Sequence, residues 1–174
     1  MIPSDHFTKF YNEVFKFLET QGDDALQAYW LEISRNQERH TLEPFREYGL
    51  EGMRDYWEHI RIEENCDLDL ELHEDRLELR MNACPSLGKV MDNDAEPMVR
   101  YCDHCAGWIG PIMDKLGYSL VYDVIDRQKP QCVMQVFKDP DQALEAEKNA
   151  KLLMGWPGKA SNEPTPDDLK VKKS

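Results

Sequence analysis

Between Cys66 and Ala83 the chain alternates apolar and polar residues with almost no interruption. Cys66, Leu68, Leu70 and Leu72 fall on one side; Asp67, Asp69, Glu71 and His73 fall on the other. After Glu74 and Asp75 the pattern resumes, with Leu77, Leu79, Met81 and Ala83 set against Arg76, Glu78, Arg80 and Asn82. A period of two is the signature of a strand with one buried face and one wet face. Two such runs joined by a short acidic turn predict an antiparallel hairpin. Arg76 and Arg80 are expected opposite carboxylates of the first strand, each pair contributing ~0.2–1 kcal/mol.

The segments around this hairpin read differently. Ser4 is a candidate N-cap for a helix whose apolar stripe is Phe7, Phe10, Tyr11, Val14, Phe17 and Leu18. A second helix is expected after Asp23 or Asp24. Thr41 would cap a short third piece with Pro44 in its first turn, where proline is tolerated. Gly49 then punctuates the chain before a helix carrying Leu50, Met53, Trp57 and Ile60. Beyond the hairpin, a helix is predicted from about Pro97 to Gly110, with a kink or an end where Gly110 and Pro111 interrupt it; its apolar stripe of Met98, Cys102, Cys105, Ile109, Ile112 and Leu116 runs on, and Gly117 reads as a helix stop. Tyr118 to Ile125 and Gln131 to Phe137 form a second hairpin around the loop 126–130, and Asp139-Pro140 opens a last helix to about Met154.

These elements predict an α+β fold: a four-stranded antiparallel sheet of two hairpins, with helices packed mainly on one face. One domain over residues 1–156 follows, with a helical layer (1–64), the hairpins and their intervening helix (65–137) and a C-terminal helix (140–154). Residues 157–174, rich in proline and charge, are expected to form a flexible tail. The stripe of Phe7, Phe10, Tyr11 and Phe17 is wide enough for a homodimer seam; burial against the chain's own sheet is the plainer expectation.

Charge narrows the partners. Aspartate and glutamate number 34 against 21 lysines and arginines, a net charge of −13 over 174 residues. Such a surface repels phosphate backbones, so nucleic acid is not an expected partner. No apolar run approaches the ~18 residues of a membrane span, and the first residues do not have the form of a secretion signal. A cytoplasmic location is the resulting expectation.

Five cysteines, four of them after residue 83, are the main candidates for chemistry. An odd number without an export signal favours thiols or metal ligands over disulfides. Cys84 ends a strand, Cys102 and Cys105 lie three residues apart on the expected helix, and Cys132 begins the last strand. If these segments converge, Cys84, Cys102, Cys105 and Cys132 form a thiolate set suited to zinc or iron, with His104 in reserve. A nucleophilic thiol needs a cation, a helix N-terminus or a base to lower its pKa. His104 is nearest in sequence, but neighbouring helix positions point apart. Plain burial of Cys102 and Cys105 on a helical stripe carries equal weight, and Cys66 is expected in the core by its alternation.

From about Phe45 to Phe137 the order of features resembles the L-2-amino-thiazoline-4-carboxylic acid hydrolase family. The residues that carry this are Tyr48-Gly49, the strand end Met81-Asn82-Ala83-Cys84-Pro85, Tyr101-Cys102-Asp103, and the strand Gln131 to Phe137. The resemblance implies hydrolytic opening of a cyclic amidine C–N bond in a small sulfur heterocycle. Cys84, Cys102 and Cys132 then match recurrent cysteines of that family. The family favours an acidic residue shortly after the middle cysteine; here Asp103 and Cys105 occupy that stretch, and the extra thiol departs from the pattern. On this reading Cys105 or Cys84 is the catalytic nucleophile, with Cys102 and Cys132 shaping the site. The alternative is a non-enzymatic metal- or small-ligand-binding module, similar in outline to the vinyl-reductase-type small-molecule-binding domains.

Overall fold

The computed structural model describes residues 3–92, 95–156 and 159. Its four strands are β1 (Asp67–Leu72), β2 (Arg76–Ala83), β3 (Ser119–Asp126) and β4 (Gln131–Phe137). They form one antiparallel sheet in the order β1-β2-β4-β3. The two hairpins therefore join through β2 and β4, with Leu79 opposite Met134 and Met81 opposite Cys132. Asp69 faces Arg80 across the first hairpin as expected, whereas Glu71 faces Glu78 and Arg76 lies opposite Phe137.

Pairing aligns the apolar face in rows. One end carries Leu77, Val136 and Leu120; the other carries Leu68, Met81, Cys132 and Val124. Five helices accompany the sheet: α1 (Pro3–Thr20), α2 (Asp23–Glu63), α3 (Pro85–Asp92), α4 (Asp103–Leu116) and α5 (Pro140–Asn149). Helices α2 and α4 pack together and cover the apolar rows. Among the described residues only α5 lies on the opposite face, where Ala143 meets Val121 and Phe137. The chain is thus an α+β protein with its helices mainly on one face.

Several local expectations are corrected. The helix α1 begins at Pro3, so Ser4 lies within it. Its buried side is Thr8, Asn12 and Phe15, while Phe7, Phe10 and Phe17 are each about 60% exposed. The stripe therefore does not pack on the sheet. Asn12 decides the rotation of α1: its amide donates to the Ala95 and Glu96 carbonyls and its oxygen accepts from Met98 N. A buried amide so engaged outweighs the apolar periodicity of a helix whose two sides are both aromatic.

No helix starts at Thr41. Its hydroxyl donates to the Gln37 carbonyl inside α2 (2.9 Å), and Pro44 lies in the helix interior. Only Gly49 breaks α2, with φ 58° and ψ −134°, a backbone setting that glycine tolerates best. The helix expected from Pro97 starts at Asp103 and continues through Pro111 to Leu116. Gly107 and Gly110 let it close on its neighbours: a Cβ at Gly110 would sit 2.3 Å from the Trp156 ring, and one at Gly107 3.1 Å from Trp30. The pair marks a close approach rather than a stop. Residues 85–92 form α3, with Pro85 at its start where a missing N–H costs nothing. Helix α5 ends at Asn149, and the chain then runs beside β3, with Val124 N bonded to Leu152 O and Met154 N to Tyr122 O. The expected tail lies outside the described residues except Lys159.

Candidate functional site: a thiol-lined cavity under the sheet

The helical layer and the sheet do not meet everywhere. At the Cys132 end they enclose a cavity of about 350 Å³. Its floor is the sheet, with Leu68, Leu79, Met81, Cys132, Met134 and Tyr122. Helix α2 contributes Gln37, Trp57 and Ile60, and α4 contributes His104, Cys105 and Trp108. The first turns of α1 lie over one side through Phe7, Thr8 and Tyr11, with Tyr11 edge-on to Trp108.

Cys66, Cys84, Cys105 and Cys132 line this cavity, and Cys102 lines a small recess beside it with Cys84, Cys105 and Cys132. The four late cysteines thus border one small recess. Cys66, assigned to the core by its alternation, packs against the core and also lines the cavity. All five are free thiols and half-buried. Their arrangement is not that of a metal centre: among the described residues no three histidine, cysteine, aspartate or glutamate side chains are placed to hold an ion. The expected tetrahedral set of Cys84, Cys102, Cys105 and Cys132 is therefore not assembled among the described residues.

Cys102 is the N-cap of α4 rather than a member of its face. Asp103 follows, 3% exposed, and accepts from Arg100 Nε (2.8 Å), with Arg127 Nη2 at 4.0 Å. Arg100 also pairs with Asp23, tying the starts of α2 and α4 together.

Adjacent helical residues diverge, which argues against His104 as a base for Cys105, and here the structure differs. Its Nδ1 bonds to the Tyr101 carbonyl, which turns the ring so that Nε2 lies 3.4 Å from Cys105 Sγ. A ring that donates from Nδ1 presents Nε2 as an acceptor. Cys105 therefore has an oriented imidazole beside it. A helical wheel does not reveal this, since it depends on the Tyr101 carbonyl, which precedes α4.

Tyr122 adds a third polar group. Its hydroxyl is 3.3 Å from Cys132 Sγ and near enough to Cys105 to favour that thiol's ionised form slightly. Burial nevertheless dominates every group in this wall. It pushes the Cys84 and Cys105 thiols up to about 11 and Cys132 up to about 12, and raises Cys102 and Tyr122 further. It lowers His104 to about 4. Backbone N–H groups of Ser86 and Leu87 at the start of α3 favour the Cys84 thiolate, but burial outweighs them. At neutral pH the thiols, Tyr122 and His104 of this wall are therefore uncharged. The cavity's charged lining residues, Glu64 and Lys89, are opposite in sign and both act on Cys66.

Neither family models nor curated proteins match this chain. Among the described residues no helix is long and apolar enough to cross a membrane.

Proposed function

We propose that this protein binds a small, largely apolar molecule in the cavity between α2, α4 and the sheet. The observation that carries the proposal is the cavity's character: about 350 Å³, walled by rings, aliphatic side chains and neutral thiols. Ligand sites are concave, mostly apolar and furnished with a few polar groups that fix orientation. The thiols then act as soft, polarisable walls rather than as metal ligands. Naphthalene titrated calorimetrically is the test. The wild-type protein is expected to bind it with a negative heat-capacity change, and Met134→Trp, which fills the cavity, is expected to abolish the signal. Equal heats from both proteins, or none from the wild type, would overturn the proposal.

The hydrolase reading has one specific observation in its favour, the 3.4 Å approach of His104 Nε2 to Cys105 Sγ. On that reading Cys105 Sγ bonds to the amidine carbon as its proton passes to His104. His104 returns the proton to the ring nitrogen as the C–N bond breaks, and water then displaces the sulfur. Cys84 would shape the site or replace Cys105 as nucleophile. The neutral resting state of both partners weighs against it, because a thiol attacks as the thiolate. Loss of 2-amino-thiazoline-4-carboxylate absorbance with wild type but not with Cys105→Ala or His104→Gln would establish it. No turnover by the wild type would remove it.

A further inference from the structure

Helix α1 carries aromatic side chains on two sides. Thr8, Asn12 and Phe15 are buried on its inner side, and Tyr11 also turns inward against Phe15 and Trp108. Its outer side carries Phe7, Phe10 and Phe17, which are 60%, 61% and 63% exposed, with Val14 half-buried between them. At about 100° per residue, these four positions fall within about 80° of one another and about 150° from the buried side. The stripe cannot roll onto the chain's own layers while Asn12 is bonded to Ala95, Glu96 and Met98. Other exposed large apolar side chains, Tyr48, Ile62, Val99 and Leu144, are scattered over the surface, and such singles need no explanation. A stripe spaced three, four and three residues apart does: it is the seam of a helix that packs on another helix.

We infer that α1 is the seam of a homodimer, packed antiparallel against α1 of a second copy. The spacing reads the same from either end. About a two-fold axis near Asn12, Phe7 therefore meets the partner's Phe17, and Phe10 meets the partner's Val14. Every outer position faces an apolar one, which is the self-complementarity a two-fold contact requires. Exposed to about 60%, the three phenylalanines supply about 350 Å² per copy and about 700 Å² in the dimer. Stable interfaces bury about 1,200–2,000 Å², so this seam is the core of a weak, reversible dimer. Each copy carries a net charge of −13, a repulsion that salt screens. Phe7 also lines the cavity, so the dimer brings the partner's Phe17 to the cavity's edge. The inference goes beyond the binding function and stands without it.

Sedimentation velocity of the full chain between about 1 and about 300 µM is the test. The 20.4 kDa chain is expected to pass from monomer to dimer over this range, and more completely at high salt than at low. Phe10→Lys and Phe17→Lys lessen the mutual repulsion, yet each should weaken the dimer at least about tenfold while the melting temperature of a dilute sample is unchanged. Leu144→Lys on α5, 54% exposed and outside the seam, should associate like the wild type. Mixed together, Phe7→Cys and Phe17→Cys chains should oxidise to the unlike disulfide in preference to either like pair. A monomer throughout the range, growth beyond dimer, equal association in the seam variants and the wild type, a loss as large in Leu144→Lys, or preference for like disulfides would overturn the inference.

Discussion

The two ends of the same sheet face differ sharply. At the Leu77 end, Leu77, Val136 and Leu120 are fully buried, and the layers are closed. Gly110 lies against Trp156, whose indole N–H donates to Asp114 (2.8 Å). At the Cys132 end the same alternation continues along the strands, yet the helices stand off and a cavity opens. Strand pattern is equal at both ends, so it does not account for the difference. What differs is the helical side. Gly110 lets the Trp156 ring close on α4 at one end, while the large rings of His104, Trp108 and Trp57 line the cavity at the other. A well-packed end supplies stability, and an open end supplies room for a ligand.

The comparison is most directly broken by matched truncations. Leu77→Ala should cost about 3–5 kcal/mol, because it leaves a hole in closed packing. Met81→Ala, whose side chain already borders open space, should cost about 1 kcal/mol. Urea unfolding midpoints measure both, and equal losses would mean that the two ends are packed alike.

His104 supplies a pH-dependent term at the open end. Its imidazole is buried neutral with its pKa lowered to about 4, so the unfolded chain binds a proton that the folded chain excludes. Stability from this group is therefore present above the unfolded value of about 6.5 and lost as pH falls through about 4, by about 3 kcal/mol in all. Folding stability measured between pH 7 and 4 should fall less steeply in His104→Gln than in wild type. Parallel curves would mean that the imidazole is not buried as described.

Smaller effects sharpen the account of the closed end. Gly110→Ala places a methyl group against the Trp156 ring and should destabilise by about 2 kcal/mol. Gly88→Ala in α3, where nothing lies within 4 Å of the added carbon, should instead stabilise by about 0.5–1 kcal/mol. Opposite signs in the melting temperatures check that contrast.

The hairpins were legible because their information is local: alternation at 67–72 and 76–83 fixes which side is buried. The rotation of α1 was not, because both faces of that helix carry aromatic residues. Asn12, which settles the matter, bonds to residues 95–98, far away in sequence. The continuity of α4 through Pro111 was likewise hidden, since Gly110 could mark an end or a contact until Trp156 is in place. Of the site, the cysteines at strand ends were legible and their convergence was assumed. The His104–Cys105 contact depends on a carbonyl at Tyr101, and the cavity depends on which side chains α2 and α4 bring over the sheet. Neither property has a linear pattern.

The central claim is that the thiol wall is neutral and serves to bind. The pH profile of Cys105 alkylation by iodoacetamide, followed peptide by peptide with mass spectrometry, tests it most directly. Burial raising the thiol to about 11 predicts labelling on the order of 100-fold slower than free cysteine at pH 8, with a rate still rising at pH 10. A rate that levels off below pH 8 would contradict the account and identify Cys105 as an activated nucleophile paired with His104.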